Sequence, residues 1–314
     1  MNIKILKDSS SFKTLLAIFG TSEYLETKSK EYGWFVSDNF ILPFYIDRRA
    51  IFSKLVFTTN IVVLESKDKK EFLNQIIVKA KELNIDLIAQ PLASALFKEF
   101  AKGSKYIEWG SWVVDLSQSK DEILNNMHSK HRNVIRKAIR DSVTVEETNN
   151  IDIIFENLKE TMSRQNRAYP LKEELARLKP FSKFYIAKKD GVLQGSAVLP
   201  FNQQGAYYLY GGSIARPYTG SLNYMHYYAM LELKDMGVKE YDFMGARINV
   251  EKNSKLEGIQ RFKSRFGGEL KQGYLWKYEY KPIKVKIINF IQRIRFKLKN
   301  SIYLGDAIDQ ESNK

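Results

Sequence analysis

KFYIAKKDGVLQGSAVL, residues 183–199, is the stretch from which the fold can be read. Two β-rich runs flank Asp190-Gly191, and Asp-Gly in that setting signals a hairpin, because a type I′ turn needs positive φ at both central residues. AYYLYGG at 206–212 follows as a third strand. Its alternation predicts Tyr208 and Tyr210 on one face and Tyr207 on the other. Helical spacing then runs from Ser221 to Met236 and closes on Gly237, and YDFMG at 241–245 reads as the next strand. A helix from Ser254 to Phe266 should stop at Gly267-Gly268, where glycine accepts a left-handed cap. LKQGYLWKYEY at 270–280 closes the segment as one or two strands.

Working back from the hairpin, WVVDL at 112–116 is strand-like. Ser119 opens a helix with Glu122 three residues on, a capping box in which each side chain satisfies the other's free amide. Ile123, Leu124, Met127, Val134, Ile135, Ala138 and Ile139 carry helical spacing to about Arg140. A second helix holds Ile151, Ile154, Phe155, Leu158 and Met162, and ends before Pro170 because the residue ahead of proline disfavours helix. From 112 to 280 the order is therefore β-α-α-β-β-β-α-β-α-β. Farther upstream, FILPFYID (40–47), KLVFTT (54–59), IVVLE (61–65) and IDLIAQ (85–90) alternate with helices from Lys69 to Leu83 and from Leu92 to Ala101. The fold class is α+β, with a mixed sheet flanked by helices in each of two domains. Element order alone makes the first segment a partial second copy, since no sequence repeat accompanies it. The expected division is a first domain at 1–110, a second at 111–280, and a basic amphipathic helix and tail at 281–314.

With 314 residues the chain is long for one domain and comfortable for two. Cysteine is absent, which excludes disulfides and thiolate chemistry. Three histidines and no H-E-x-x-H pattern give no zinc signature, so no metal is expected. The apolar run Leu15–Phe19, bounded by Lys13, is too short for a signal-peptide core, and no run approaches a membrane span. The expected location is the cytoplasm. A net charge of +14 points to polyanionic company, whether nucleic acid, phosphorylated substrate or anionic membrane. Part of it is concentrated: Lys281 to Lys299 holds seven Lys or Arg residues and no acid.

EGIQRFKSRFGGEL (257–270), GVKEYDFMGA (237–246), YYLYGGS (207–213) and HRNVIRKA (131–138) after WVVDLSQSKDEIL (112–124) together resemble the Fem-type peptidoglycan aminoacyltransferases and their broader GNAT-like relatives. The resemblance spans about Tyr32 to Trp276 and is sharp between Trp109 and Leu270. It implies two GNAT-like domains with the acceptor in the cleft between them. It implies transfer of an amino acid from aminoacyl-tRNA to the amine of a nucleotide- or lipid-linked envelope precursor. Larger members insert a long helical hairpin in the second domain; this sequence has none, which brings it nearer the compact members that act on soluble precursors. No cofactor beyond the donor is implied.

The family's Phe-Lys pair maps onto Phe262-Lys263, with the lysine assigned to the tetrahedral oxyanion that forms when an amine attacks an ester. Read without the family, Lys263 is equally a solvated helix lysine beside a core phenylalanine. Tyr210, followed by Gly211 and Gly212 where backbone can approach an acyl carbonyl, is a candidate for substrate contact, although tyrosines also pack well on half-buried strands. An ammonium acceptor must lose a proton, and Asp242 and Asp115, each near a strand end, are candidate bases or amine-orienting groups. Arg216-Pro-Tyr-Thr-Gly220-Ser221 leads into a helix where GNAT enzymes bind pyrophosphate. The usual glycine spacing is not met, so a strand-to-helix turn with a cap is an equal reading. Arg132, Arg136 and Arg140 share a helix face, either solvated or set against tRNA. Arg164 and Arg167 fit the family's use of arginine on the precursor diphosphate.

In the tail, Ile283, Ile287, Phe290, Ile291, Ile294 and Leu298 form one helical stripe, with Lys284, Arg293, Arg295, Lys297 and Lys299 off it. Such a helix suits the interface of an anionic membrane, the protein's own second domain, or a tRNA backbone. Two other functions stay open at this point. One is an acyl-CoA- or acyl-carrier-dependent N-acyltransferase acting on an amino sugar of a surface polysaccharide. The other is a non-catalytic basic RNA- or membrane-binding protein.

Overall fold

The computed structural model describes residues 2–65, 68–298 and 305–312. The chain divides into two compact units, Met1–Gly110 with Gln272–Lys314, and Ser111–Lys271. The second boundary thus falls at 271/272 rather than 280, and the tail belongs to the first unit.

In the first unit, Lys4–Leu6 (β1), Tyr32–Val36 (β2), Phe40–Arg49 (β3) and Phe52–Phe57 (β4) pair antiparallel in that order, and Val62–Val63 (β5) adds to β3. Leu87–Ile88 (β6) then pairs parallel to β4. Helices are Ser22–Lys28 (α1) and Lys69–Lys81 (α2), the second capped by Asp68, which accepts from the amides of Lys70 and Glu71. The pleat turns Phe40, Leu42, Phe44 and Ile46 of β3 to one face, where Phe72, Ile76 and Ala80 of α2 arrive at helical spacing. That face is the core of the unit.

The second unit takes up the end of Lys105–Asp115 (β7) and continues with Lys120–Asn126 (α3), Ser129–Arg140 (α4), Val143–Glu147 (β8), Ile151–Ser163 (α5), Lys172–Leu178 (α6), Ser182–Lys189 (β9) and Val192–Asn202 (β10). Then follow Gly205–Tyr207 (β11), Tyr210–Ser213 (β12), Ser221–Asp235 (α7), Glu240–Asp242 (β13), Ala246–Arg247 (β14), Lys255–Ser264 (α8) and Glu269–Glu279 (β15). Strands β8, β9, β10 and β11 pair antiparallel, β13 joins β11 in parallel, and β7 closes antiparallel on β13. The predicted hairpin turn is present, with φ of 50° at Asp190 and 77° at Gly191.

The far end of β15 returns to the first unit, where Tyr278 and Glu279 pair antiparallel with Ile88 and Leu87. Each unit therefore has the same plan. An antiparallel run is followed by a helix (α2 or α7), a parallel strand (β6 or β13), and a closing antiparallel strand drawn from elsewhere in the chain. The α+β class and the duplication expected from element order are both visible here.

Four local expectations need correction. The helix read from Ser119 to Arg140 is two helices: Met127 is extended at ψ 146°, and His128 caps α4 by accepting from Lys130 N. The segment from Leu92 to Ala101 is not helical, because Phe97 exchanges backbone bonds with Tyr274. Strand β8 and helix α6 were not anticipated. Lys299, counted with the tail helix, lies outside the described residues.

After β15 come Pro282–Leu298 (α9) and Ala307–Ser312 (α10). The stripe predicted for α9 is exposed rather than packed on any of the described residues: Ile283, Phe290 and Leu298 are 75%, 63% and 81% exposed. No helix among the described residues is long and apolar enough to cross a membrane.

Candidate active site at Asp242 and Lys263

Pairing between β11 and β13 ends at Tyr207 opposite Asp242, followed by a last bond from Tyr208 N to Asp242 O. Beyond that point β12 is bonded to β10, and the chain after Asp242 turns through Met244 and Gly245, with φ of 48° and 71°. A non-glycine in the left-handed region costs about 1 kcal/mol or more and persists only where its surroundings hold it. Two groups hold Met244. From one side Asp242 Oδ1 accepts from Met244 N at 2.6 Å and from the Ser111 hydroxyl. From the other, Lys263 Nζ on α8 donates to Met244 O at 2.5 Å and Gly245 O at 2.8 Å.

This arrangement leaves chemistry free on both sides. An ammonium has three hydrogens, and two of those on Lys263 are used. Both bonds to Asp242 end on Oδ1, leaving Oδ2 for an incoming group. Asp242 and Lys263 keep some accessible surface, yet their titration is set first by desolvation. Burial raises the Asp242 pKa to about 6 against the hydrogen bonds from Ser111 and Met244, which pull it down. Burial lowers Lys263 to about 8; the Asp242 charge opposes this and Arg167 reinforces it. A carboxylate pushed up and an ammonium pushed down, side by side, are the two protonation states a proton-moving site needs.

Aromatic groups form the surroundings. His226 of α7 is 1% exposed, with Nδ1 at 2.7 Å from Tyr241 Oη, and burial first, then His131 and Lys263, hold its pKa down at about 3. The ring of Tyr208 meets His226 edge-on at 4.4 Å, and Phe262 packs on the same imidazole at 5.7 Å. Burial pushes the Tyr208 phenol up to about 12. Tyr207 is raised as well, by burial and then by the charges of Asp242 and Glu240. Gly211 is needed for this packing: a Cβ there would stand 1.7 Å from Tyr208 Oη.

The predicted residues separate into those brought together and those placed elsewhere. Lys263, Phe262, Asp242 and, through its charge on Lys263, Arg167 share one neighbourhood. Tyr210 departs from it. Its ring packs with Ile154, Leu158 and Val198, and its hydroxyl donates to Glu174 at 3.2 Å, whereas Tyr208 joins the core that contains His226's neighbours Tyr241 and Phe243. Alternation fails because Leu209 N bonds to Tyr207 O, kinking the chain between β11 and β12. Gly212 permits close approach of α5, a Cβ there meeting Asn157 Oδ1 at 2.3 Å.

Three of the six arginines have structural partners. Arg164 pairs with Glu160 and donates to Ser213 O; Arg132 caps the end of α3 through Asn125 O and Met127 O; Arg140 pairs with Asp141. Arg136 and Arg216 are exposed. The 216–220 turn is clipped by Tyr218 N to Gln194 Oε1 at 2.7 Å, and a Cβ on Gly220 would stand 2.1 Å from Val134 O. A carbonyl at that helix start favours the turn-and-cap reading over a phosphate site. Asp115 caps its own turn by accepting from Ser117 N at 2.8 Å; hydrogen bonds from Ser117 hold its pKa down, the opposite of a base. Sequence reasoning missed His226 and Ser111, and preferred Tyr210 to Tyr208. His226 had one signal: it sits at core spacing with Met225, Ala229, Met230 and Leu233.

The model of the FemAB family matches residues 156–293, a span that includes β13, the strained turn and α8. No curated protein matches the sequence. Among solved structures, FemX superposes with a TM-score of 0.68 at 16% identity, covering 92% of this chain and 100% of its own. A C-terminal DUF2156 domain from Agrobacterium fabrum, named as a candidate lysylphosphatidylglycerol synthetase, gives 0.53 at 15% identity, with 86% and 92% covered. A conserved protein of unknown function from Bacteroides thetaiotaomicron gives 0.53 at 10%, with 88% and 100% covered.

Proposed function

We propose that the chain is an acyltransferase of the Fem type, a reading supported by the FemAB-family match over 156–293 and the FemX-like fold, and that it moves an aminoacyl group from aminoacyl-tRNA to an amine of a peptidoglycan or other envelope precursor. One observation carries this reading: the Lys263 ammonium is fixed on the carbonyls of Met244 and Gly245 beside a carboxylate of raised pKa. In the proposed reaction the acceptor arrives as an ammonium and gives a proton to Asp242. The free amine attacks the ester carbonyl, the new C–N bond forms, and the remaining Lys263 hydrogen binds the oxyanion. Collapse breaks the C–O bond, the ribose oxygen leaves with the proton returned from Asp242, and the adduct nitrogen, which carries one proton more than the amide, releases it to solvent. A fixed donor aimed at charge that develops only in the transition state is worth about 100- to 1000-fold in turnover. Arg167, on the approach to Lys263, is suited to a phosphate of the acceptor or donor.

The test is product formation. The protein is incubated with charged tRNA and nucleotide-linked envelope precursors and, separately, with acetyl-CoA and amino sugars. A mass increase of one aminoacyl residue on the precursor, dependent on charged tRNA, is the expected result. An acetylated product with no tRNA-dependent one would overturn the reading.

A further inference from the structure

Helix α9 wears its most apolar face outward. Ile283, Ile287, Phe290, Ile291, Ile294 and Leu298 fall within about 100° of the helical wheel and are 45–81% exposed. The opposite face holds Val285, which is buried, and Ile288, Gln292 and Phe296, which are half-buried. Cations border the stripe on both sides, Lys286, Arg293 and Lys297 on one and Lys284 and Arg295 on the other, and no acidic residue occurs from Lys281 to Leu298.

The orientation is fixed where the helix begins. Asp86, 1% exposed, holds Lys284 at 2.7 Å and Lys281 at 2.8 Å where the helix begins. Downstream, Asp306 and Asp309 clasp the buried ammonium of Lys277, and Ile308 is fully buried with Leu96, Ile107, Trp109 and Leu275. Rolling the stripe inward would break the Asp86 pairs and expose Val285.

We propose that α9 is an interfacial anchor that lies in the plane of an anionic lipid surface, its stripe among the acyl chains and its flanking cations at the headgroups. At about 25 Å long, with cations on both borders, the helix fits the interface rather than the bilayer interior. An RNA backbone would satisfy the cations but leave six large apolar side chains in water. A second copy of the chain would bury the stripe while setting like charges against like charges along both borders. A lipid surface meets both requirements, and the inference stands whether or not the chain acts on an envelope precursor.

The experiment uses the full chain, since truncation before Lys281 would strip Asp86 of its partners. Co-sedimentation is measured with phosphatidylglycerol-rich and with pure phosphatidylcholine vesicles. Binding is expected to the first, weakening as salt rises. Replacing Ile287, Phe290 and Ile294 together by Ser should reduce partitioning roughly a hundredfold through lost apolar burial. Replacing Lys286, Arg293 and Lys297 by Gln should do the same, each cation being worth about a factor of five. All six positions are exposed, so both variants should keep the wild-type melting temperature. Equal binding to neutral vesicles, or binding unchanged by the Ser variant, overturns the proposal. So does self-association that the Ser variant abolishes without any vesicle binding.

Discussion

The two units share a plan but use its central feature differently. In the first, bonding continues past β6: Ala89 N meets Leu55 O and Leu92 N meets Phe57 O, and the space is filled by Phe57, Phe97 and Trp276 with centroids 5.5–5.9 Å apart. In the second, bonding stops at Tyr208 and Asp242, and Lys263 reaches the carbonyls beyond. The closing residues of the equivalent strands match the contrast: β6 ends on the buried Ile88, β13 on Asp242. One copy spends its sheet on packing and the other leaves it open for chemistry. Identical topology therefore says where a site can be, and side chains decide whether there is one.

This contrast can be broken by substitution. Trp276→Ala should cost about 3–5 kcal/mol of stability while leaving turnover per folded molecule unchanged; a selective loss of turnover, seen by scaling activity to the folded fraction in urea, would contradict the structural role of the first unit. Lys263→Met should do the reverse, lowering kcat about 100- to 1000-fold while the urea midpoint falls less than in Trp276→Ala, by what the two bonds to Met244 and Gly245 contribute. Near-normal turnover would remove Lys263 from the chemistry.

The pH profile sharpens the same division. Asp242 must be ionised to take a proton, so activity should rise as pH passes about 6; Lys263 must be charged to bind an oxyanion, so activity should fall as pH passes about 8. Asp242→Asn removes the acidic limb. It also removes the negative charge that favours the ammonium, so residual activity should lose its alkaline limb at lower pH than the wild type. An unmoved alkaline limb would mean that the two groups are not coupled. The smallest effect is expected for Arg167→Ala: its charge opposes that of Lys263, so the alkaline limb should move slightly upward and KM should rise more than kcat falls. A downward shift would place Arg167 elsewhere.

Signals confined to a few neighbouring residues were legible in the sequence. Asp190-Gly191, the Ser119–Glu122 box and Gly267 each specify their local backbone, and all three are present. Phe262-Lys263 was visible as a family pair. What escaped needed long-range information. Strand β8 is an edge strand whose VTVEE is half polar, and only β9 makes it a strand. The break at Met127 depends on Arg132 capping the preceding helix and on His128 N bonding to Arg265 O, far along the chain. Tyr210 was misjudged because a kink at Leu209 cancels the alternation from which its face was read. His226 looked like one more core residue, and its place beside Lys263 follows from how α7 and α8 pack.

The boundary at 271/272 bears on the order in which the molecule can be made. Synthesis runs from the amino terminus, and domains generally fold as they emerge. Residues 1–110 emerge first, but their sheet lacks β15 and their core lacks Trp276 until the entire second unit has been translated. For that interval Leu87 and Ile88 present an unpaired strand edge, the kind of surface on which chains associate wrongly. The unit that begins the polypeptide is therefore the last to be finished. Until Tyr280 has cleared the ribosome the first unit stays incomplete, with Leu87 and Ile88 lacking the strand that closes on them.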